Sequence, residues 1–297
     1  MYVHCLGAAA GGGYPQWNCA CVGCRAAREN PGRATLHASV AVSGDGDRWF
    51  LLNATPDVHH QIAAEPALHP GPGTRETPLS GVLLTDAELD HTIGLLVMRE
   101  GSAYTVFGTA AVLAMLAEEF PVRRLLRDYA DVTWREAVLG APMALDDTLT
   151  ATAFAAGTKH PRYAVSQRHD SGSVVGYRLE DARTGVTAVY APALAHWDDA
   201  VQAELEKADC VIVDGTFWRD TEMIHTGSGR RRGSEMGHLA IDGPGGSAER
   251  LAMLPARYKI YTHINNTNPI LDDSSPELRR LAELGILIGR AGLRVEL

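Results

Sequence analysis

Two β-sheets packed face to face with helices outside, an α/β architecture, is the fold this sequence predicts, and three observations predict it. Short apolar runs alternate with helical stretches along the chain, and strands dominate both halves. The glycine run Gly11–Gly13 lacks the spaced G-x-G-x-x-G pattern that a doubly wound, dinucleotide-binding sheet carries after its first strand. No internal repeat is visible, which excludes a solenoid.

Taken in order, Val3–Leu6, Ser39–Val42, Trp49–Leu52 and Gly81–Leu84 are short apolar runs rich in branched residues, as buried strands require. Apolar residues at helical spacing then predict a helix over Thr92–Arg99, followed by a strand at Tyr104–Phe107 and an Ala-rich helix at Thr109–Glu119. The second half reads as strands at Val174–Leu179, Thr187–Tyr190, Cys210–Val213 and Lys259–Thr262, with helices at Asp198–Lys207, Ser247–Leu254 and Ser275–Leu284. The last helix opens on Ser275-Pro276-Glu277, a capping residue followed by proline at the first helical position. A closing strand spans Gly292–Glu296, and the glycine-rich, basic stretch Thr226–Gly233 reads as a flexible loop.

The 297 residues carry 27 Lys+Arg against 36 Asp+Glu, a formal net charge of -9, with 45% apolar and 21% charged side chains. That balance argues against a general nucleic-acid binder, whose affinity comes from neutralising phosphates, and the apolar fraction excludes disorder. No apolar run is long enough to span a bilayer, and the N-terminus has no basic region ahead of an apolar stretch. The 5 cysteines, with Cys5 and Cys210 apart from one tight cluster, form no disulfide framework, so the chain is expected to be cytoplasmic.

Chemistry concentrates in a few places. Cys19, Cys21 and Cys24 put three soft ligands within reach of one ion, and zinc is the natural occupant; small buried hydrophobes are the plainer alternative. An apolar strand ending at Thr85 is followed by Asp86, Glu88, Asp90 and His91, which could bind a metal or simply form an acidic helix start. His263 ends another strand ahead of Asn265, Asn266 and Asn268, residues that turns also favour. Asp214 ends a strand, and His238 follows Met236-Gly237 in a loop. Ligand-bearing residues at several strand ends describe a metal site at one edge of the sandwich. Arg230, Arg231 and Arg232 form either an anion cradle, a lid or a solvated loop.

The stretch Asp86-Ala87-Glu88-Leu89-Asp90-His91 resembles the His-x-His-x-Asp-His motif of the metallo-β-lactamase fold. Across Gly11–Cys19, Asn53–Asp57, Leu95–Gly101, Val213–Thr216, Met236–His238 and His263–Pro269 the chain more closely resembles the pyrroloquinoline quinone (PQQ) biosynthesis protein B family. These stretches reach from the first strand nearly to the C-terminus. The resemblance implies one four-layer αββα domain over residues 1–297, with a structural zinc on the cysteine loop near residues 14–25. Related hydrolases with a Cys-x-Cys-x-x-Cys segment, such as the phosphoribosyl cyclic phosphate diesterase, complete that zinc with a histidine. It lies three residues beyond the position of His263, where this chain has Asn266, which leaves His263, Asp272 or water as the fourth ligand.

The departures from the hydrolase pattern matter most. Asp86 and Glu88 stand where a dinuclear hydrolase has its first two histidines, and Tyr190-Ala191-Pro192-Ala193 offers no bridging aspartate. What remains is Asp90, His91 and His263, the composition of the facial triad of non-haem Fe(II) oxygenases. Zinc or another divalent metal is the alternative occupant. Asp86, Glu88, Asp214 and His160 are candidate extra ligands or partners of the ligands. The resemblance implies an iron-dependent oxygenase that hydroxylates the tyrosine ring of a small Glu–Tyr-derived PQQ precursor, acting beside other PQQ biosynthesis proteins. In that reading His238 and Asp214 serve proton transfer or substrate anchoring. Arg230, Arg231 and Arg232, with Asn265 and Asn266, are expected to bind the substrate. The alternatives are a carrier that helps PQQ or its precursor toward the periplasm, and a residual metallohydrolase.

Overall fold

The computed structural model describes residues 1–100, 102–164 and 172–297; Gly101, the last residue of the Leu95–Gly101 stretch, lies outside them. Within the described residues the chain builds two seven-stranded mixed sheets. The first takes β1 (Tyr2–Gly7), β2 (Ser39–Ser43), β3 (Trp49–Leu52), β4 (Leu79–Leu83), β5 (Tyr104–Gly108), β6 (Val132–Glu136) and the late β14 (Arg294–Glu296), in the order β14-β1-β2-β3-β4-β5-β6. The second takes β7 (Pro142–Ala144), β8 (Leu149–Gly157), β9 (Val174–Asp181), β10 (Thr187–Ala191), β11 (Cys210–Asp214), β12 (Tyr258–Thr262) and β13 (Leu287–Ile288), in the order β13-β12-β11-β10-β9-β8-β7. In each sheet an antiparallel half passes into a parallel half, β3–β6 in the first and β10–β13 in the second.

Side chains alternate across each strand, and this period of two sorts them into layers. Val40, Phe50, Leu52, Leu83 and Phe107 meet Tyr177, Leu179, Tyr190, Ile212 and Ile260 between the sheets. Their neighbours Ala41, Leu51, Val82 and Val106 face outward against helices α2 (Val58–Ala64), α5 (Ala110–Glu118) and α6 (Val122–Leu126). On the other side Val189, Val211, Val213 and Tyr261 pack on α7 (Asp199–Leu205), α9 (Ser247–Met253) and α10 (Pro276–Glu283). The result is the expected αββα sandwich. Tyr177 crosses the inner layer and donates its hydroxyl to the Leu84 carbonyl at 3.0 Å, which stitches the second sheet to the segment leaving β4.

The expected strands and most expected helices occur with shifts at their ends. The Thr92–Arg99 helix instead starts earlier and breaks into α3 (Leu89–Thr92) and α4 (Gly94–Val97). The cause is local: the Ala54 N–H takes the His91 carbonyl at 2.8 Å, and the Gly94 N–H turns to the Ala54 carbonyl at 2.9 Å. Strand β8 gives little apolar contrast because Leu149–Gly157 is mostly Ala and Thr, while β6 and β7 are exposed edge strands. Helix α1 (Val22–Glu29) also escapes an apolar pattern; it is capped by the Cys21 side chain, which accepts from the Cys24 N–H.

Leu83 is fully buried between the sheets at the strand end that leads into Asp86. Leu83→Ala is expected to destabilise folding by about 2–5 kcal/mol, measured as a lower urea midpoint.

Candidate metal centre

Strands β4, β11 and β12 all end at one edge of the sandwich, and the residues just past their carboxyl ends converge there. Such ends are where ligands bind in parallel sheets, since the loops leaving them share one crevice. The β4 end supplies Asp86, Asp90 and His91, β11 ends on Asp214, and β12 leads directly into His263.

Asp86 is buried and shaped into an acceptor for the start of α3. Its Oδ1 accepts the Glu88 N–H at 2.9 Å, its Oδ2 accepts the Thr85 hydroxyl at 2.9 Å, and both oxygens meet His91 Nδ1, at 2.9 and 2.8 Å. Thr85 is itself held by Asn53, whose Oδ1 accepts the Thr85 N–H at 2.9 Å. Asp86 therefore orients the His91 ring rather than offering itself as a ligand. The ring's Nε2 is buried and has no hydrogen-bond partner among the described residues, and lies 3.6 Å from Asp90 Oδ2. On the far side the same Asp90 oxygen stands 3.3 Å from His263 Nε2. One ligand atom from each of Asp90, His91 and His263 lies within 4.8 Å of the others. An orphaned imidazole nitrogen aimed at a carboxylate and a second imidazole is what a divalent cation would satisfy, so the residues fit a metal.

The buried carboxylates make the pocket favour positive charge, so a bound cation would take the place of the proton on His91. Burial works against the His91 imidazolium, but Asp86 and Asp90 outweigh it and raise its pKa from 6.5 to about 9. Burial likewise opposes the Asp90 carboxylate, yet His91 and His263 hold it well below the usual carboxylate range. His263 is pushed the other way: burial, with His238 and His91 adding to it, lowers its pKa. A neutral imidazole is the form that ligates.

A second set abuts the first. Thr216 Oγ1 donates to Asp214 Oδ1 at 2.6 Å and lies 2.8 Å from His263 Nδ1 and 3.1 Å from His238 Nδ1. Asp214 Oδ2 is 2.7 Å from His238 Nδ1 and accepts the Leu194 N–H at 2.9 Å. Asp214, His238 and His263 also fall within one ligand-sized cluster. Burial opposes ionisation of Asp214, but His238 keeps its pKa below the normal value.

Both sets open on a cleft of ≈ 800 Å³. Asp86, Glu88, Asp90, His91, His160, His238, His263, Asn265 and Arg231 lie along it, together with Lys159, Arg162, Tyr163 and Phe217. Ala193, in the segment where a hydrolase would carry its bridging carboxylate, also lines the wall. Glu88 is turned to Lys159, 3.1 Å away, and is not in the ligand cluster. Of the three arginines only Arg231 lines the cleft; Arg232 pairs with Asp220 at 3.1 Å, and Arg230 is outside the lining. Lys159, Arg162 and Tyr163 escaped the sequence reading because they follow β8, whose weak pattern hid the strand end that positions them.

The cysteines form a separate centre. The sulfurs of Cys19, Cys21 and Cys24 lie within 4.8 Å of one another. Backbone N–H groups of Cys21, Cys24 and Gln16 donate to them at 3.4, 3.4 and 3.3 Å. Neither expected side chain completes the set, since His263 belongs to the other cluster and Asp272 pairs with Arg33 at 3.0 Å. Asn266 does approach, its Nδ2 lying 3.2, 3.5 and 3.4 Å from the three sulfurs. Its side chain is thereby committed to the thiols and does not reach the cleft as a substrate contact.

The model of the Beta-lactamase superfamily domain matches residues 48–264. The chain is 43% identical over 304 residues to coenzyme PQQ synthesis protein B of Azotobacter vinelandii, covering 100% of both. It is 44% identical over 302 residues to the protein of that name in Cupriavidus necator, covering 99% of both. Among solved structures it resembles Zn(2+)-bound PqqB from Methylobacterium extorquens, with TM-score 0.92, 35% identity and 100% of both chains covered. A diphosphatase of the PhnP family, at TM-score 0.70, 19% identity and coverage of 100% and 97%, shares the fold. No helix among the described residues is long and apolar enough to cross a membrane.

Because His91 has a folded pKa raised to about 9, the stability it contributes is complete below its ordinary 6.5 and is lost as the pH rises through about 9. The depressed carboxylates act on the acid side, losing theirs as the pH falls. In chelator-treated protein, melting temperature is expected to decline across the alkaline window. Asp86→Asn should shift that decline to lower pH, and a variant with the wild-type profile would refute the assignment.

Proposed function

The chain belongs to the coenzyme PQQ synthesis protein B family, and we propose that it works in that pathway as a non-haem iron oxygenase. Its reaction is hydroxylation of the tyrosine ring of a small Glu–Tyr-derived precursor. The observation that carries this reading is the unpartnered Nε2 of His91 facing Asp90 and His263. Two imidazoles and one carboxylate are the donors of the facial triad that holds Fe(II), and iron bound there would supply activation of dioxygen. The alanine at position 193 favours a mononuclear oxygenase over a dinuclear hydrolase, since no carboxylate extends from that wall to bridge two ions.

Arene hydroxylation places one atom of dioxygen in a C–H bond and the other in water, consuming two protons and two electrons from an external reductant. The chain's own part is binding, orientation and proton handling. Phe217 and Tyr163 give the cleft aromatic walls against which a phenol ring can lie. Arg162 and Arg231 present cations to the substrate's carboxylates, with Lys159 held against Glu88 beside them, and Asn265 adds an amide. Asp214 holds His238 through Nδ1, which leaves Nε2 to carry a proton to or from a substrate in the cleft. Cys19, Cys21 and Cys24 would hold a zinc that supplies structure to the loop, and Asn266 Nδ2 donates to the same three sulfurs.

Elemental analysis of protein purified without oxygen is expected to find zinc and iron in the wild type, and zinc alone in His91→Ala. With a Glu–Tyr substrate, dioxygen and a reductant, the wild type should give product heavier by one oxygen atom, read by mass spectrometry. Asp90→Ala and His263→Ala should give none. Unchanged turnover in Asp90→Ala sinks the oxygenase assignment; tight product binding without turnover by the iron-loaded protein points to a carrier.

A further inference from the structure

The Thr55–Asp57 end of the Asn53–Asp57 stretch has taken no part in the functional reading, yet the stretch is tied to the backbone of α3, which carries Asp90 and His91. Ala54 holds the backbone of α3 through the His91 carbonyl at 2.8 Å. From the far end of the stretch, Asp57 Oδ2 accepts the His37 backbone N–H at 3.0 Å and meets the ring's Nδ1 at 3.1 Å. Thr55 Oγ1 stands 2.6 Å from Asp57 Oδ1 and 2.9 Å from Gln61 Oε1, and Gln61 Nε2 donates to the His37 carbonyl at 2.7 Å. The imidazole of His37 is thus fixed from the backbone side and from one edge of its ring.

Its other edge bears on the glycine turn. A Cβ on Gly13 would stand 3.3 Å from His37 Cε1 and 3.6 Å from Nε2. The turn is closed by the Gly13 N–H on the Ala10 carbonyl at 2.8 Å, and Ala10 donates to the Ile264 carbonyl, beside His263, at 2.9 Å. On its inner side the turn touches the ligand cluster, for a Cβ on Gly11 would stand 3.3 Å from Asp90 Oδ2. Absence of side chains at residues 11 and 13 therefore lets a single layer of backbone separate the His37 ring from the Asp90 carboxylate.

We propose that His37, oriented by Asp57, is a positioning residue that sets where the Asp90 carboxylate stands, acting through the Gly11–Gly13 turn. This rests on Asp90, His91 and His263 being a metal-binding set. Outer partners of this kind change metal affinity by roughly 10–100-fold when removed.

Cobalt(II) titration tests it, with the visible ligand-field spectrum as readout and Asp90→Ala as the blank for metal bound elsewhere. His37→Ala is expected to weaken cobalt binding by roughly 10–100-fold and to change the ligand-field bands. His37→Asn keeps a donor for Asp57 but cannot reach the glycine turn, so it should melt close to the wild type while retaining the affinity loss. A His37→Asn protein with wild-type affinity and spectrum, where Asp90→Ala loses the site, overturns the role of His37. If Asp90→Ala binds cobalt like the wild type, the metal set itself falls, and the inference with it.

Discussion

Moving a carboxylate or an imidazolium out of water costs on the order of several kcal/mol per ion unless the charge is matched in place. The contact between Asp86 and His91 Nδ1 provides that match at the deepest point of the site. Because Asp86 is also bonded to Thr85 and to the Glu88 N–H, it fixes the first turn of α3 at the same time. The direction of His91 Nε2 and the geometry of the first turn of α3 follow from that one anchored carboxylate, while Ala54 sets the break between α3 and α4. Removing it leaves a buried imidazole with no reason to point anywhere in particular.

Much of the fold was legible because sandwich strands buried on both faces are short, apolar and branched. Trp49–Leu52, Cys210–Asp214 and Tyr258–Thr262 announce themselves in this way. The elements that escaped are those whose stability comes from partners: β8 from its two neighbours rather than from large side chains, and α1 from the cysteine loop it follows. At the site, strand-end chemistry singled out residues that the fold brings together, but roles within it depend on distance alone. Nothing in the order Asp86, Glu88, Asp90 tells that the first orients a ring, the second pairs with Lys159 and the third lies between two imidazoles. The same limit applies to Asn265 and Asn266, adjacent in the chain yet committed to the cleft and to the thiols respectively.

That adjacency has a physical consequence for the molecule. His263 has a φ of 56°, in the left-handed region that non-glycine residues seldom occupy, so the turn after β12 must be held from outside. The holding contacts are Ile264 on Ala8 and Ala10, Asn265 on the Thr216 carbonyl, and Asn266 on the three sulfurs. The cysteine loop is therefore part of the frame that keeps a ligand-cluster histidine in its uncommon backbone conformation.

The three imidazoles of the centre are backed unequally, and the inequality separates their uses. His91 and His238 each share Nδ1 with a buried carboxylate, whereas among the described residues the Nδ1 of His263 meets only the Thr216 hydroxyl. A carboxylate behind an imidazole raises the basicity of its opposite nitrogen, and a hydroxyl does so far less. His91 therefore combines strong donation with a buried, unshared Nε2, which suits a permanent ligand. His263 lies between both clusters as a weaker, neutral donor, and His238 lines the cleft wall beside Phe217. Ala193, which also lines the cleft, offers no carboxylate to bridge toward His238 and Asp214. In the proposed reading the Asp214–His238 pair handles the proton while Asp90, His91 and His263 hold the metal, and that division would set the centre apart from a hydrolase built on the same sandwich.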